Sequence, residues 1–226
     1  KFSQNIAIAN KESLICGWSL IQKSLNYYKT NFIPIDSEHF SINNLITDTN
    51  VKNINKIFLT ASGGPFLKYK KINSNSNLSL ENALLHPNWA MGKKISIDSA
   101  TLMNKVFEVI EAKNIFNIPY DKINIITHPK SYIHSFVEFN NGLIKFLAHD
   151  PTMKIPIYNS ITNNDCFFKS KPINFKILNN LNLKKINNRQ FPLIKILKFL
   201  PHYSSLYEVA IVVINDFFVH LFLKKK

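Results

Sequence analysis

The sequence predicts an α/β protein in which helices flank a mixed sheet, and three observations support this fold class. Short apolar runs bounded by Asn, Ser, Gly and Pro recur along the chain and are typical of buried strands. Longer segments carry apolar residues at the spacing of a helix that packs on one face. With 226 residues, of which 46% are hydrophobic, the chain is long enough to bury a core.

The predicted elements are mostly strands in the first two thirds of the chain and helices at its end. The predicted strands cover residues 6–9, 32–35, 56–61, 123–127, 135–139 and 143–148. The predicted helices cover residues 13–28, 80–85, a segment that starts near Ser99, 191–200 and 206–223. An Asn140-Asn141-Gly142 sequence is typical of a hairpin turn between the last two strands. Residues 163–188 are rich in Asn and Lys, so we predict a linker there, with one short strand near Phe175.

Three acidic residues lie where they could share one cation. Asp36 and Glu38 are two residues apart at the end of the strand predicted for residues 32–35, so their side chains are expected to point the same way. Glu108 lies on the helix predicted to start near Ser99. Three carboxylates without a cysteine favour Mg²⁺ or Mn²⁺ over zinc. Acidic pairs are also common on solvated surfaces, and their spacing alone leaves that interpretation open.

The same predicted helix carries groups that suit a phosphate. Its free N–H groups and positive dipole end would lie beside Ser99. Asn104 shares a face with Glu108, and Lys105 lies one turn before Glu108. The sequence therefore predicts an anion site next to the cation site.

Five motifs occur in a fixed order along the first two thirds of the chain. They are Ala9-Asn10-Lys11-Glu12-Ser13, Pro34-Ile35-Asp36-Ser37-Glu38-His39, Thr60-Ala61-Ser62-Gly63-Gly64-Pro65-Phe66, the segment from His86-Pro87-Asn88-Trp89-Ala90-Met91-Gly92 to Asn104-Lys105, and His128-Pro129-Lys130-Ser131-Tyr132-Ile133-His134. Together they resemble the 1-deoxy-D-xylulose 5-phosphate reductoisomerases. Members of that family use NADPH and a divalent ion to make 2-C-methyl-D-erythritol 4-phosphate for isoprenoid synthesis.

The resemblance implies a role for each matching residue. The divalent ion, Mn²⁺ or Mg²⁺, would be held by Asp36, Glu38 and Glu108. The sugar phosphate would be bound by Lys11, Ser37, Glu38, Ser62, His86, Ser99, Asn104, Lys105 and Glu108, with catalytic roles for Lys11, Glu38, His86 and Glu108. NADPH would contact Asn10, Glu12 and Gly92. His86 would begin a loop, with Trp89 and Met91, that closes over the substrate, and His134 would support the active site.

The resemblance also implies a domain order. Residues 1–35 would be the end of a Rossmann-like NADPH domain, residues 36–162 the catalytic domain and residues 189–226 part of a helical C-terminal domain, after the linker at 163–188. The five glycines of the chain cannot form a G-x-G-x-x-G fingerprint. We therefore expect a fragment of the enzyme that by itself turns over little substrate with NADPH.

Composition limits the partners and leaves two other functions open. The formal charge of +14 would suit a nucleic-acid-binding module, but the lysines are scattered and no nucleic-acid-binding motif accompanies them. Departures from the family pattern at Trp18 and Phe40-Ser41 leave open a degenerate metal-binding remnant. Cys16 and Cys166 form no disulfide framework, which favours a reducing cytoplasm. We expect a homodimer that binds neither nucleic acid nor a membrane.

Overall fold

The computed structural model describes residues 3–69, 79–162, 169, 171–203 and 205–224. The strands are β1 (Asn5–Ile8), β2 (Asn31–Pro34), β3 (Ile54–Ala61), β4 (Ile123–Thr127), β5 (Ile133–Phe139), β6 (Ile144–Ala148) and β7 (Lys184–Lys185). The α-helices are α1 (Lys11–Tyr28), α2 (Ser37–Ile46), α3 (Leu80–Leu84), α4 (Lys93–Ala100), α5 (Met103–Phe116), α6 (Lys154–Ile161), α7 (Phe175–Leu178) and α8 (Tyr207–Leu223). Short 3-10 helices cover Val51–Asn53, Tyr120–Lys122 and Pro192–Phe199. The predicted α/β class is confirmed.

The chain begins with a β-α-β unit. Strands β1 and β2 pair in parallel, and α1 connects them. The side chain of Asn10 caps α1 by accepting the backbone N–H of Ser13 at 2.8 Å. Helix α1 ends at Lys29, which has a left-handed conformation with φ of 52°.

A five-stranded mixed sheet forms the centre of the protein. Its strand order is β6-β5-β3-β4-β7, with β3 and β4 parallel and the other pairs antiparallel. Helix α2 packs on β5 and β6, and α5 packs on α1 and α4. The main core includes Ile57 and Leu59 of β3 and Val106, Phe107 and Ile110 of α5, each at or below 1% exposure. The core thereby fixes α2 and α5 relative to the sheet, and polar residues of the two helices come together, since Lys105 Nζ on α5 lies 2.8 Å from Glu38 on α2.

Three predictions about the elements are wrong. Ser99 does not start a helix, because it lies in the last turn of α4. The next helix, α5, starts after Leu102, whose left-handed conformation with φ of 61° separates the two helices. Glu38 is not at a strand end, since Asp36 caps α2 by accepting the N–H of Glu38 at 3.2 Å. The strand expected near Phe175 is the short helix α7. The helix predicted for residues 191–200 is present as the 3-10 helix Pro192–Phe199.

Part of the predicted linker belongs to the sheet. Residues 163–168 and 170 lie outside the described residues, but Lys184 and Lys185 form β7 and pair with β4. The predicted hairpin is confirmed, because β5 and β6 pair antiparallel across Asn140-Asn141-Gly142, with φ of 84° at Gly142. Within the described part of the chain, no helix combines the length and apolar character needed to cross a membrane.

Candidate active site

A cavity of about 180 Å³ lies between the start of α1, the start of α2, the turn after β3 and the α4–α5 junction. Every residue predicted to bind substrate or metal lines this cavity, namely Lys11, Asp36, Ser37, Glu38, Ser62, His86, Ser99, Asn104, Lys105 and Glu108. Trp89 and Met91 also line it. The predicted residues come from five separate segments of the sequence, so only the fold brings them together.

Three carboxylates meet in this cavity. Asp36, Glu38 and Glu108 each place an oxygen within 4.8 Å of the other two. Burial, followed by repulsion from the Glu108 carboxylate, raises the pKa of Glu38 to about 7. Burial works against ionisation of Asp36 as well, but Lys11, His39 and Lys105 together outweigh it and hold the Asp36 pKa well below its usual range. Converging carboxylate oxygens without sulfur ligands fit a hard divalent ion such as Mg²⁺ or Mn²⁺.

Two buried lysines neutralise part of this negative charge. Lys11 Nζ lies 3.1 Å from Asp36, 3.3 Å from Glu108 and 2.8 Å from Oδ1 of Asn104. Lys105 Nζ lies 2.8 Å from Glu38 and also contacts Glu108. Burial lowers the pKa of both lysines, but the carboxylates outweigh burial and raise it, to about 12 for Lys105. Both side chains are therefore cations that face the carboxylates.

The turn after β3 brings two serines to one side of the cavity. Gly64 has φ of 60°, and a Cβ built there would lie 2.9 Å from the backbone oxygen of Ser99. Only glycine allows so close an approach, which sets the Ser62 turn directly on the end of α4. The helix N-terminus predicted beside Ser99 is instead the N-terminus of α5. This helix begins at Met103, and Asn104 and Lys105 lie in its first turn.

His86 is held as a neutral ring with a defined tautomer. Its Nδ1 accepts the backbone N–H groups of Asn88 at 3.2 Å and Trp89 at 3.0 Å, so Nδ1 carries no proton. Nε2 therefore holds the proton and donates to Oγ of Ser62 at 3.0 Å. Burial, followed by the charge of Lys105, lowers the pKa of His86 to about 4.

The loop that follows His86 is tied to a neighbouring loop. The side chain of Asn88 donates to the backbone oxygen of Pro129 at 2.7 Å and to Oγ of Ser131 at 2.9 Å. Ser131 itself lines the cavity, although the sequence analysis did not single it out as a site residue.

The residues expected to contact NADPH lie outside the cavity lining. Asn10 caps α1 and donates from its side chain to Glu12 at 3.2 Å. Glu12 forms an ion pair with Lys94 at 2.5 Å, and Gly92 is the capping residue of α4, two positions before Lys94. The Glu12–Lys94 ion pair thus connects the start of α1, where Asn10 and Glu12 lie, to the start of α4, which Gly92 caps.

The remaining histidines have structural contacts. His134 is 1% exposed and stacks on His149 with 3.8 Å between ring centroids. The His134 ring also lies near Trp89, which lines the cavity, with 6.3 Å between ring centroids and an edge-type geometry. The supporting role expected for His134 stays a prediction. His128 is fully buried, and its Nδ1 lies 2.6 Å from the backbone oxygen of Leu181.

The sequence analysis missed His39 and Glu111, which form a buried pair next to the Asp36 carboxylate. His39 is fully buried, and its Nδ1 lies 3.3 Å from Asp36 and 3.4 Å from Glu111. Burial lowers the pKa of His39, but Glu111 and Asp36 outweigh it and raise it to about 9. Burial also raises the pKa of Glu111 to about 7, although His39 opposes that change. One signal could have found Glu111, because it follows Glu108 by three residues on the same helix face.

Known proteins resemble this chain in sequence. The family of 1-deoxy-D-xylulose 5-phosphate reductoisomerase C-terminal domains matches residues 32–116. The 1-deoxy-D-xylulose 5-phosphate reductoisomerase of Pelagibacter ubique (strain HTCC1062) is 59% identical over all of this chain, which covers 58% of that protein. The enzyme of the same name from Sulfurihydrogenibium sp. (strain YO3AOP1) is 40% identical over all of this chain, which covers 59% of it. The chain thus spans less than two thirds of these relatives.

Solved structures agree with the sequence comparison. A crystal structure of DOX-P reductoisomerase in complex with NADPH, fosmidomycin and magnesium has a TM-score of 0.84 and 34% identity, with 98% of this chain and 57% of that chain covered. The 1-deoxy-D-xylulose 5-phosphate reductoisomerase from Zymomonas mobilis in complex with NADPH has a TM-score of 0.84 and 32% identity, with the same coverage. From these matches, together with the motifs and the cavity that they line, we conclude that the chain belongs to the 1-deoxy-D-xylulose 5-phosphate reductoisomerase family.

Proposed function

We propose that this chain carries the metal- and substrate-binding part of an NADPH-dependent 1-deoxy-D-xylulose 5-phosphate reductoisomerase. The product would be 2-C-methyl-D-erythritol 4-phosphate, formed by rearrangement of a carbon–carbon bond and then reduction by hydride. The observation that supports this proposal most strongly is the cavity in which three carboxylates, two lysines and several short polar side chains converge. Such a set suits a substrate that has both hydroxyl oxygens and a phosphate.

The proposed ion is Mg²⁺ or Mn²⁺, held by Asp36, Glu38 and Glu108. When bound, it would act as a Lewis acid on the substrate oxygens. Glu38 and Glu108 would also contact the substrate hydroxyls, and Lys11 and Ser37 would contact the sugar backbone. Ser37 already donates to Glu38 at 2.5 Å, which orients that carboxylate. Lys11 Nζ lies within 3.3 Å of both Asp36 and Glu108, so it would offset the negative charge of these two carboxylates and keep them in position when substrate hydroxyls approach.

The proposed phosphate ligands are Ser62, Ser99, Asn104 and Lys105. Oγ of Ser62 accepts from His86 and from the backbone N–H of Gly64 at 3.1 Å, so its own proton is directed elsewhere and can be donated to a phosphate oxygen. The ammonium group of Lys105 has three protons, of which two face Glu38 and Glu108. The third proton would then be available to the phosphate. Because a phosphate undergoes no reaction here, these contacts orient the substrate and contribute remote binding energy.

The proposed cofactor is NADPH, near Asn10, Glu12 and Gly92. His86, Trp89 and Met91 would form the loop that closes over the substrate and excludes water. The expectation that this chain alone turns over little substrate with NADPH stays a prediction, as do the domain boundaries and a cytoplasmic location.

The proposed partner is a second copy of the chain. Strand β6 lies at one edge of the five-stranded sheet, and Ile144 and Phe146 on it are 64% and 50% exposed. An edge strand with exposed apolar side chains can pair with another chain. Light scattering of the wild type and of Phe146→Lys tests this proposal, and a wild type that is monomeric at micromolar concentration would contradict it. Neither nucleic acid nor a membrane is proposed as a partner.

Calorimetric titration of 1-deoxy-D-xylulose 5-phosphate, with and without Mg²⁺, tests the proposed function. We expect binding that depends on the ion and that is lost in Glu108→Gln, since this change removes one carboxylate ligand and keeps the side-chain shape. Asp121→Asn is the matched control, because Asp121 is exposed and lies outside the cavity lining. A folded wild type that does not bind the sugar phosphate in the presence of Mg²⁺ would contradict the proposal.

A further inference from the structure

The helix that supplies Glu108 carries a second buried carboxylate one turn later. Glu111 is 1% exposed and does not line the cavity. Among the residues that the structure describes, its Oε2 has no hydrogen-bonding partner, and it lies 3.4 Å from Nδ1 of His39. A carboxylate is rarely buried in this way unless its charge is compensated. His39 is therefore the neighbouring group that compensates the charge of Glu111.

His39 connects Glu111 to the proposed metal site. Its Nδ1 lies 3.3 Å from Oδ1 of Asp36, and its Nε2 lies 2.9 Å from the backbone oxygen of Glu108. Carboxylate and carbonyl oxygens only accept hydrogen bonds, so both ring nitrogens face acceptors and need a proton. The ring consequently joins the first turn of α2, which supplies Asp36, to the middle of α5, which supplies Glu108.

A different role for these groups would be to hold a metal ion themselves. Asp36, His39 and Glu111 do place possible ligand atoms within 4.8 Å of one another. Nδ1 of His39, however, lies between two carboxylates and would have to lose its proton to bind a cation. His39 and Glu111 are also sealed from the cavity, whereas Asp36, Glu38 and Glu108 all line it. The geometry favours support of the metal site over a second metal site.

We infer that Glu111 is a positioning residue for the metal site: it anchors the His39 ring, which in turn holds the Asp36 carboxylate and the Glu108 backbone in place. This inference rests on the metal site proposed above. If the Glu111 charge is lost, Asp36 is the one carboxylate that remains beside Nδ1 of His39 in the described part of the chain, and the ring draws Asp36 away from the ion. Supporting residues of this kind typically change metal affinity by roughly ten- to a hundredfold when they are replaced.

Calorimetric titration with Mn²⁺, together with thermal unfolding without metal, tests this inference. We expect one Mn²⁺ site in the wild type, roughly ten- to a hundredfold weaker binding in Glu111→Gln, and a metal-free melting temperature close to that of the wild type. Glu111→Asp retains the charge with a shorter reach and is expected to bind with intermediate affinity, which also covers the case in which Glu111→Gln does not fold. Asp121→Asn, at an exposed site, is expected to bind as the wild type does.

Three results would overturn the inference, and they differ from one another. Unchanged affinity in Glu111→Gln would mean that Glu111 does not support the site. Complete loss of binding, equal to that in Glu108→Gln, would make Glu111 a metal ligand. No Mn²⁺ binding by the folded wild type would overturn the proposed metal site itself, and this inference with it.

Discussion

Replacing Gly64 by alanine is expected to damage both the fold and the phosphate side of the cavity. Gly64 follows β3 with φ of 60°, and an added Cβ would lie 2.9 Å from the backbone oxygen of Ser99 and 3.0 Å from Cα of Ala100. Both contacts are with backbone atoms, so no side chain can rotate away. The end of α4 must therefore move away from the turn. Gly142 provides a matched control, because its φ is 84° but an added Cβ meets nothing within 4 Å.

The two substitutions share one cost and differ in another. A left-handed conformation costs a residue with a side chain about 1–2 kcal/mol, and this applies to both positions. Replacing glycine also restricts the unfolded chain, which offsets about 0.4–1 kcal/mol of that cost. Gly64→Ala adds the forced shift of α4, which costs about 1–3 kcal/mol in a well-packed interior. We expect a loss of about 2–4 kcal/mol for Gly64→Ala and of about 1 kcal/mol for Gly142→Ala.

Differential scanning calorimetry and phosphate-ligand titration check this prediction. For a protein of this size, the loss at Gly64 corresponds to a decrease in melting temperature of about 5–15 °C. Displacement of Ser99 would remove the hydrogen bond that this residue is proposed to make with the substrate phosphate. Loss of a hydrogen bond to such a charged group would weaken binding of the sugar phosphate roughly tenfold or more. Equal melting temperatures for the two variants, or unchanged affinity in a folded Gly64→Ala, would refute the reasoning.

Three further predictions concern stability. In the folded protein the pKa of His86 is about 4, below its ordinary 6.5, so the unfolded chain binds more protons between these two pH values. The free energy of unfolding of the wild type should therefore fall relative to that of His86→Gln as the pH decreases from 6.5 to 4. Urea titrations that give a constant difference between the two proteins over this pH range would contradict this prediction. Phe107→Ala should cost about 3–5 kcal/mol in urea unfolding, because the ring is fully buried, whereas Leu20→Ala, at 68% exposure, should change little. Mg²⁺ at roughly a hundred times its dissociation constant should stabilise the fold by about 2.7 kcal/mol, and Asp36→Asn should lose this effect in thermal unfolding.

Much of the fold could be predicted from local sequence. Strands β3 and β4 are apolar runs bounded by polar turns, and the hairpin of β5 and β6 follows from Asn140-Asn141-Gly142. The site residues could be named as well, because they lie within contiguous motifs whose order matches the family. Their convergence could not be derived from spacing, since the predicted residues come from five separate segments of the sequence.

The helix boundaries near the site were harder to predict for physical reasons. Asp98, Ser99 and Thr101 are residues that favour helix starts, but Ile97 and Ala100 are buried against α3 and α8, and this packing keeps the segment in α4. The break comes at Leu102, where a left-handed conformation is unexpected for a branched side chain. Helix α2 was missed because its buried polar face, which includes His39, does not show the usual apolar periodicity.

The position of a bound ion is the most direct test of the central claim that Asp36, Glu38 and Glu108 form a divalent-metal site in the substrate cavity. A crystal of this chain grown with Mn²⁺ should show one strong anomalous peak among the three carboxylates, in contact with an oxygen of each. The same peak should be absent from crystals of Glu108→Gln. A peak at another position, or none among these residues in a crystal that diffracts well, would contradict the account.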